Sequence, residues 1–229
     1  TKLISRIDPK TVKPYKKTYL RTVNNILSAM LNHAVRFYGL PSNPMKRMGK
    51  IGSAKAEEMK FWTKDEYLRF AEEVMGKPGS FAIFELLYWC GIREGEALAL
   101  MPEDFDFGKG LLKITKSYQR IDRQDVITSP KTAKSVRTVT MPDFVAEELS
   151  EYIELEGYEE GERIFPFGKS YLYHEMDRGC KASGVKRIRV HDLRHSHVSL
   201  LIEMGFSVVA IADRIGHEST DITFRYAHL

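Results

Sequence analysis

The sequence predicts a mainly α fold of the α+β kind, a helical domain with a small antiparallel β-sheet, preceded by a shorter helical part. Three observations predict it. Apolar residues recur at three- and four-residue steps over 18–38, the period of an amphipathic helix. Strict alternation of apolar and polar residues is confined to 111–141, where it marks short strands. The stretches on either side carry helix caps and glycine stops. At 229 residues, 43% of them apolar, the chain has room for one full domain and a small additional module.

The first helix is built on Leu20, Val23, Leu27, Met30, Leu31, Ala34 and Tyr38, with Arg21, Asn24, Asn25, Ser28, Asn32 and Arg36 on the other face. It ends where Gly39, Pro41 and the pair Asn43-Pro44 block propagation. One such helix cannot bury its own stripe, so it needs further helices, the rest of the chain or a partner. Residues 45–60 are basic and irregular, with Gly49, Gly52 and Ser53, and read as a connector. Thr63-Lys64-Asp65-Glu66 has the form of a capping box, opening a helix to about Met75. Ser80 is expected to cap the next helix, apolar all round through Phe81–Cys90 and stopped by Gly91; such a helix belongs in a core.

Leu112-Lys113-Ile114-Thr115, Val126-Ile127-Thr128 and Val136 to Met141 are the expected strands of the small sheet, the turn Ser129–Ser135 joining the last two. Helices resume after Pro142, interrupted by a loop over 157–168, and one helix starts near His191 and runs to about Met204.

Charge is unevenly spread. Residues 1–60 hold 13 basic and 3 acidic side chains, whereas 61–229 hold 22 and 28. A basic arm on a near-neutral body suggests nucleic acid or an anionic surface. Cys90 and Cys180 cannot make a disulfide framework and fit a reducing compartment. No apolar run approaches the ~20 residues of a bilayer span, and no charged-then-apolar leader is seen. Neither secretion nor membrane insertion is indicated. The chain begins on Thr1 and is expected to be a fragment of something longer.

Several polar residues could carry chemistry. In Gly91-Ile92-Arg93-Glu94-Gly95-Glu96 an arginine emerges where an apolar helix ends, and Glu96 is its natural partner. His191 and Arg194 lie three apart and share a helix face. His191 and His195 also have the spacing of a zinc-binding helix, with Asp192 in the acid position, although Arg194 would place a positive charge beside the cation. Lys131 and Lys134 sit on a strand-to-strand turn, His217 follows Gly216, and Tyr226 lies in Thr223-Phe224-Arg225-Tyr226-Ala227-His228. Each has a bland reading in isolation: a polar helix start, a structural ion pair, solubilising lysines, a packed aromatic.

In chain order, however, Arg93, Lys131, His191, Arg194, His217 and Tyr226 resemble the six-residue constellation of the tyrosine recombinases, the phage-integrase family. The boxes His191–His195, Ile215-Gly216-His217-Glu218-Ser219 and Tyr226–Leu229 look like that family's signatures, and 12–44 looks like the last part of its core-binding domain. The resemblance implies a partial core-binding domain over 1–50, a linker over 51–57 and a catalytic domain over 58–229. It implies an integrase of a phage or integrative mobile element, acting in the cytoplasm. Such an enzyme cuts and rejoins DNA through a 3′-phosphotyrosyl bond on Tyr226, with no metal and no cofactor. Double-stranded DNA would be the partner, with Lys10, Lys13, Lys16, Lys17, Arg21, Lys46, Arg47, Lys50 and Lys55 along its phosphates. Four protomers would assemble on paired sites, with a directionality factor or host DNA-bending protein as further partners. A chromosome-dimer resolvase, a topoisomerase-like enzyme, a non-cutting DNA-binding module and a zinc hydrolase are the rival readings.

Overall fold

The computed structural model describes residues 7–8, 13–53, 59–130 and 133–216. By its internal contacts the chain divides into two units, Thr1–Glu58 and Met59–Leu229.

In the first unit the short strands β1 (Ile7–Asp8) and β2 (Lys13–Pro14) pair antiparallel. Helix α1 (Lys17–Phe37) follows, within a residue of its expected limits. Only Leu20 and Asn24 of α1 are buried, and the stripe residues Leu27, Met30 and Tyr38 are exposed. Asn43, 4% exposed, fixes the chain reversal by donating to the Ser28 carbonyl at 3.1 Å and to Asn32 Oδ1 at 2.7 Å. The stretch expected to be irregular contains one helical turn, α2 (Met45–Met48). It then returns to the start of α1, where the Ser53 amide donates to the Lys17 carbonyl at 3.1 Å.

In the second unit, Trp62 is 1% exposed and donates from its ring to the Lys186 carbonyl at 2.7 Å. The capping box forms as expected: Thr63 Oγ1 accepts the Glu66 amide and Glu66 Oε2 accepts the Thr63 amide, opening α3 (Lys64–Val74). Helix α4 (Pro78–Glu85) starts earlier than expected, with proline in its first turn. Ser80 does not cap it. Its hydroxyl is buried against Tyr171 Oη at 2.7 Å and Glu175 Oε2 at 3.3 Å, and Ser80 is the third residue of the helix, past the cap position that Lys77 holds. The apolar helix then widens into a π-helical turn, Leu86–Cys90, and stops at Gly91 in the left-handed region, φ 62°. Helix α5 (Glu94–Ala97) follows directly.

The β region departs from expectation. Strands β3 (Phe105–Asp106), β4 (Leu111–Ile114) and β7 (Arg137–Thr140) form one antiparallel sheet in the order β3-β4-β7. Strands β5 (Ser117–Ile121) and β6 (Gln124–Thr128) form a separate hairpin. The stretch around Val126 therefore does not belong to the β4–β7 sheet, and the 129–135 connection links strands of different sheets. Strand β5 escapes a pattern-based reading because Tyr118 is its only buried residue. Its tight turn uses Asp122 and Arg123 at φ 50° and 68° in place of the usual glycine.

Helices α6 (Asp143–Glu156), α7 (Lys169–Ser183), α8 (Asp192–Glu203) and α9 (Val208–Ile215) complete the unit. The core is rich in aromatics, with Tyr67 stacked on Tyr88 at 3.8 Å between centroids. Helix α7 lies close on α3 because Gly179 leaves room for Phe70: a Cβ there would stand 2.4 Å from the ring.

Gly91 is doubly constrained, since a Cβ there would also stand 2.3 Å from His197 Cδ2. Gly91→Ala is therefore expected to destabilise the protein by about 2–5 kcal/mol, from the left-handed backbone and from overpacking. Urea denaturation measures this, and a loss under about 1 kcal/mol would contradict the packing described.

Candidate active site

The site is organised around the end of α9. This helix begins on Ser207, whose Oγ accepts the Ala210 amide at 3.2 Å, and ends at Gly216 with φ 66°. A helix leaves its last carbonyls without intrahelical partners and carries a partial negative charge there. Here three consecutive carbonyls are taken by three guanidiniums from three other elements. Arg137 Nε, on β7, donates to the Arg214 carbonyl at 3.0 Å. Arg194 Nη2, on α8, donates to the Ile215 carbonyl. Arg93 Nη2, at the start of α5, donates to the Gly216 carbonyl at 3.4 Å.

Each guanidinium is braced in turn. Arg194 is 3% exposed, and its Nη1 donates to the Gly91 carbonyl at 2.7 Å. The left-handed turn that ends the core helix thus faces α8 and presents its oxygen to Arg194. Glu96 holds Arg93 twice: Oε2 accepts the Arg93 amide and Oε1 accepts Nη1, both at 2.8 Å. The same carboxylate accepts Arg137 Nη1 at 3.1 Å and Nη2 at 2.8 Å. Burial pushes the Glu96 carboxyl up, but the Arg137 fork, the Arg93 amide and both charges outweigh it and hold its pKa below the usual carboxylate value.

His191 stands at the start of α8, three residues from Arg194, and is exposed. Lost hydration on its protein-facing side, and then the Arg194 charge, lower its pKa below the ordinary imidazole value, so it is neutral at pH 7. Its ring meets His195 edge-on at 5.2 Å between centroids. Burial, and next the His191 ring, bring His195 down to about 4. Asp192 turns to Arg189, accepting its amide at 2.9 Å and Nη2 at 2.6 Å, and lies 3.7 Å from His195 Nε2. Among the described residues no three His, Cys, Asp or Glu side chains are grouped to hold a metal ion. No described helix is long and apolar enough to cross a membrane.

Of the six residues singled out in the sequence, the structure brings Arg93 and Arg194 onto adjacent carbonyls and puts His191 on the same helix as Arg194. Lys131, His217 and Tyr226 lie outside the described residues. The ends that flank them are placed: a Cβ on Gly216 would stand 2.8 Å from the Lys134 carbonyl, so the end of the lysine-bearing turn abuts the end of α9.

Three further residues complete the cluster and were missed in the sequence: Arg137, His197 and Arg214. Arg214 donates to His197 Nε2 at 3.1 Å and to the Thr140 carbonyl at 2.8 Å. Burial, followed by the Arg214 and Arg194 charges, drives His197 down to about 3. Alternation could have flagged Arg137, since it shares the inward face of its strand with Val139. No local pattern marks the other two.

The family is shown by comparison with known proteins. Residues 60–229 match the model of the phage integrase family. The ICEBs1 integrase of Bacillus subtilis is 31% identical over an alignment of 253 residues covering 99% of this chain and 68% of that protein. The integrase of Mycobacterium phage L5 is 26% identical over 223 residues, covering 91% of this chain but only 58% of its own length. The fold is that of a solved Tn1549 transposon integrase in complex with transposon right end DNA. The TM-score is 0.78 at 17% identity, over 93% of this chain and 75% of the other. The chain belongs to the phage integrase family, the tyrosine recombinases that cut and rejoin DNA.

Neutral His197 makes stability pH-dependent. Its folded pKa is depressed, so the unfolded chain binds the proton first, and stability is lost as pH falls below about 6.5. From pH 7 to 5 the loss is about 2 kcal/mol for this one group. Glu85, which burial raises to about 7, acts in the opposite sense, so the comparison must be with a variant. His197→Gln, which keeps an acceptor for Arg214, should gain about 2 kcal/mol on the wild type over that range in urea denaturation. A constant difference would contradict the neutral, buried imidazole.

Proposed function

We propose that this chain is the DNA-cutting part of a site-specific integrase of a phage or integrative mobile element, working through a covalent 3′-phosphotyrosyl intermediate. The observation that supports it most is the convergence of Arg93 and Arg194 on adjacent carbonyls immediately before residue 217. Two planar guanidiniums on separate elements suit the non-bridging oxygens of one phosphodiester, whose negative charge grows as it is displaced. They supply the charge stabilisation for which many nucleases use a divalent ion.

In this reading Tyr226 Oη attacks phosphorus, the Oη–P bond forms and the bond from phosphorus to the 5′ oxygen breaks. The phenol proton goes to His191, whose lowered pKa leaves it neutral and able to accept at pH 7. Lys131 delivers a proton to the departing 5′ oxygen, and His217 hydrogen-bonds a phosphate oxygen or steadies Tyr226. One phosphate ester replaces another, so rejoining needs no nucleotide. When a 5′-hydroxyl returns, the same groups act in reverse.

The partner is double-stranded DNA. The Tn1549 integrase was solved with transposon right end DNA, and a lambda integrase dimer bound to a core site has the same fold, with a TM-score of 0.63 at 19% identity. Residues 1–50 are proposed as part of a core-binding domain, 51–57 as the linker and 58–229 as the catalytic domain, with the basic side chains of the first part on DNA phosphates. Paired strand exchange calls for a homotetramer on two sites, assisted by a directionality factor or host DNA-bending protein, in the cytoplasm of a bacterial host.

A nicked duplex carrying the element's own attachment core tests this. The wild type should give a protein–DNA adduct that survives denaturant and forms in EDTA, and Tyr226→Phe should give none. Arg194→Ala should bind the same duplex within a few-fold of wild type while cleaving it at least ~10²-fold more slowly. An adduct that persists in Tyr226→Phe, or equal losses of binding and cleavage in Arg194→Ala, would overturn the assignment.

A further inference from the structure

Arg137 makes four hydrogen bonds within the site, yet the proposed reaction gives it no part. Its guanidinium makes hydrogen bonds to the Arg214 carbonyl, to both oxygens of Glu96 and, at 3.1 Å, to the Ser135 carbonyl. The side chain is 7% exposed, against 36% for Arg93. A guanidinium has five N–H donors, and these bonds leave Arg137 little to offer a phosphate. Its stem passes under the end of α9: a Cβ on Gly216 would stand 3.0 Å from Arg137 Cδ.

Its four contacts join the parts that have to meet. Glu96 is the carboxylate that fixes Arg93 through both main chain and side chain. The Arg214 carbonyl belongs to the helix end whose next two carbonyls receive Arg194 and Arg93. Ser135 lies just before β7, in the segment in which Lys131 falls in the sequence. Without Arg137, Glu96 keeps only Arg93 among the charged partners described, and the Arg214 carbonyl loses its side-chain donor. Both changes let Arg93 move relative to Arg194.

We propose that Arg137 is a positioning residue: its planar fork on Glu96, with its Nε on the end of α9, sets the aim of Arg93 at the scissile phosphate. This rests on the recombinase reading above. Arg137 acts through Arg93, so its contribution should vanish when Arg93 is gone. Lysine cannot replace it, because an ammonium is a point charge and cannot hold both Glu96 oxygens and the helix end together.

The test is a double-mutant cycle on the full chain, read as the rate of adduct formation on the nicked attachment-core duplex and as affinity for that duplex. Arg137→Ala should slow cleavage by about 10–10²-fold, the size of a misplacement of around an ångström, with affinity changed less than about threefold. Arg137→Lys should recover only part of the rate. In an Arg93→Ala background, adding Arg137→Ala should cost less than about threefold more, because residues acting as one unit are not additive. Losses that multiply in the double variant, full recovery in Arg137→Lys, or a wild-type rate in Arg137→Ala would overturn the proposal. If Arg137→Ala does not fold, the same cycle run with Arg137→Lys decides it by the same criterion. Absence of an adduct from the wild type would instead overturn the recombinase reading, and this inference with it.

Discussion

The end of α9 is the constraint on which the rest of the site depends. A short helix finishing inside a protein leaves carbonyls that must find donors, and here the donors for three in a row are arginines from β7, α8 and the start of α5. That arrangement gathers positive charge at a point the helix itself makes electronegative, so guanidiniums that would repel one another in isolation are held close. A single buried carboxylate, Glu96, balances two of them. The cluster proposed to meet a polyanion is thus also the cluster that closes the fold around the last described turn.

The same reasoning explains why the core is shaped as it is. The apolar helix over 78–90 ends in a π-helical turn and a left-handed glycine, and the carbonyl of that glycine accepts Arg194. His197, one turn further along α8, fills the space a side chain on Gly91 would need and accepts Arg214. Packing and charge placement are therefore not separable here: the aromatic core positions α4 and α8, and their contact sets where Arg194 stands.

Much of the fold was legible in the sequence because the informative residues act locally. The Thr63–Glu66 capping box, the extent of α1 and the alternation in β4 and β7 each involve neighbours within a few positions and formed close to expectation. The apolar stripe of α1 did not become a buried face, since only Leu20 of it is buried, together with Asn24 from the opposite face. Strand β5 was not legible because only Tyr118 is buried in it. Ser80 was misread because its hydroxyl serves residues about ninety positions away. In the site, the Arg93–Glu96 pair followed from spacing alone, whereas Arg194 reaches Gly91 across 103 positions and Arg137 reaches Glu96 across 41. The sequence order of Arg93, His191 and Arg194 pointed to the chemistry; which oxygens hold them could come only from the folded chain.

The most direct test of this account is a crystal structure of the chain bound to a duplex carrying its attachment core. It should place one phosphate within about 3 Å of both the Arg93 and Arg194 guanidiniums, the reach of a charge-assisted hydrogen bond, with Arg137 still on Glu96 and the Arg214 carbonyl. A bound duplex with no phosphate shared by Arg93 and Arg194, or with Arg137 drawn off Glu96 onto the DNA, would contradict it.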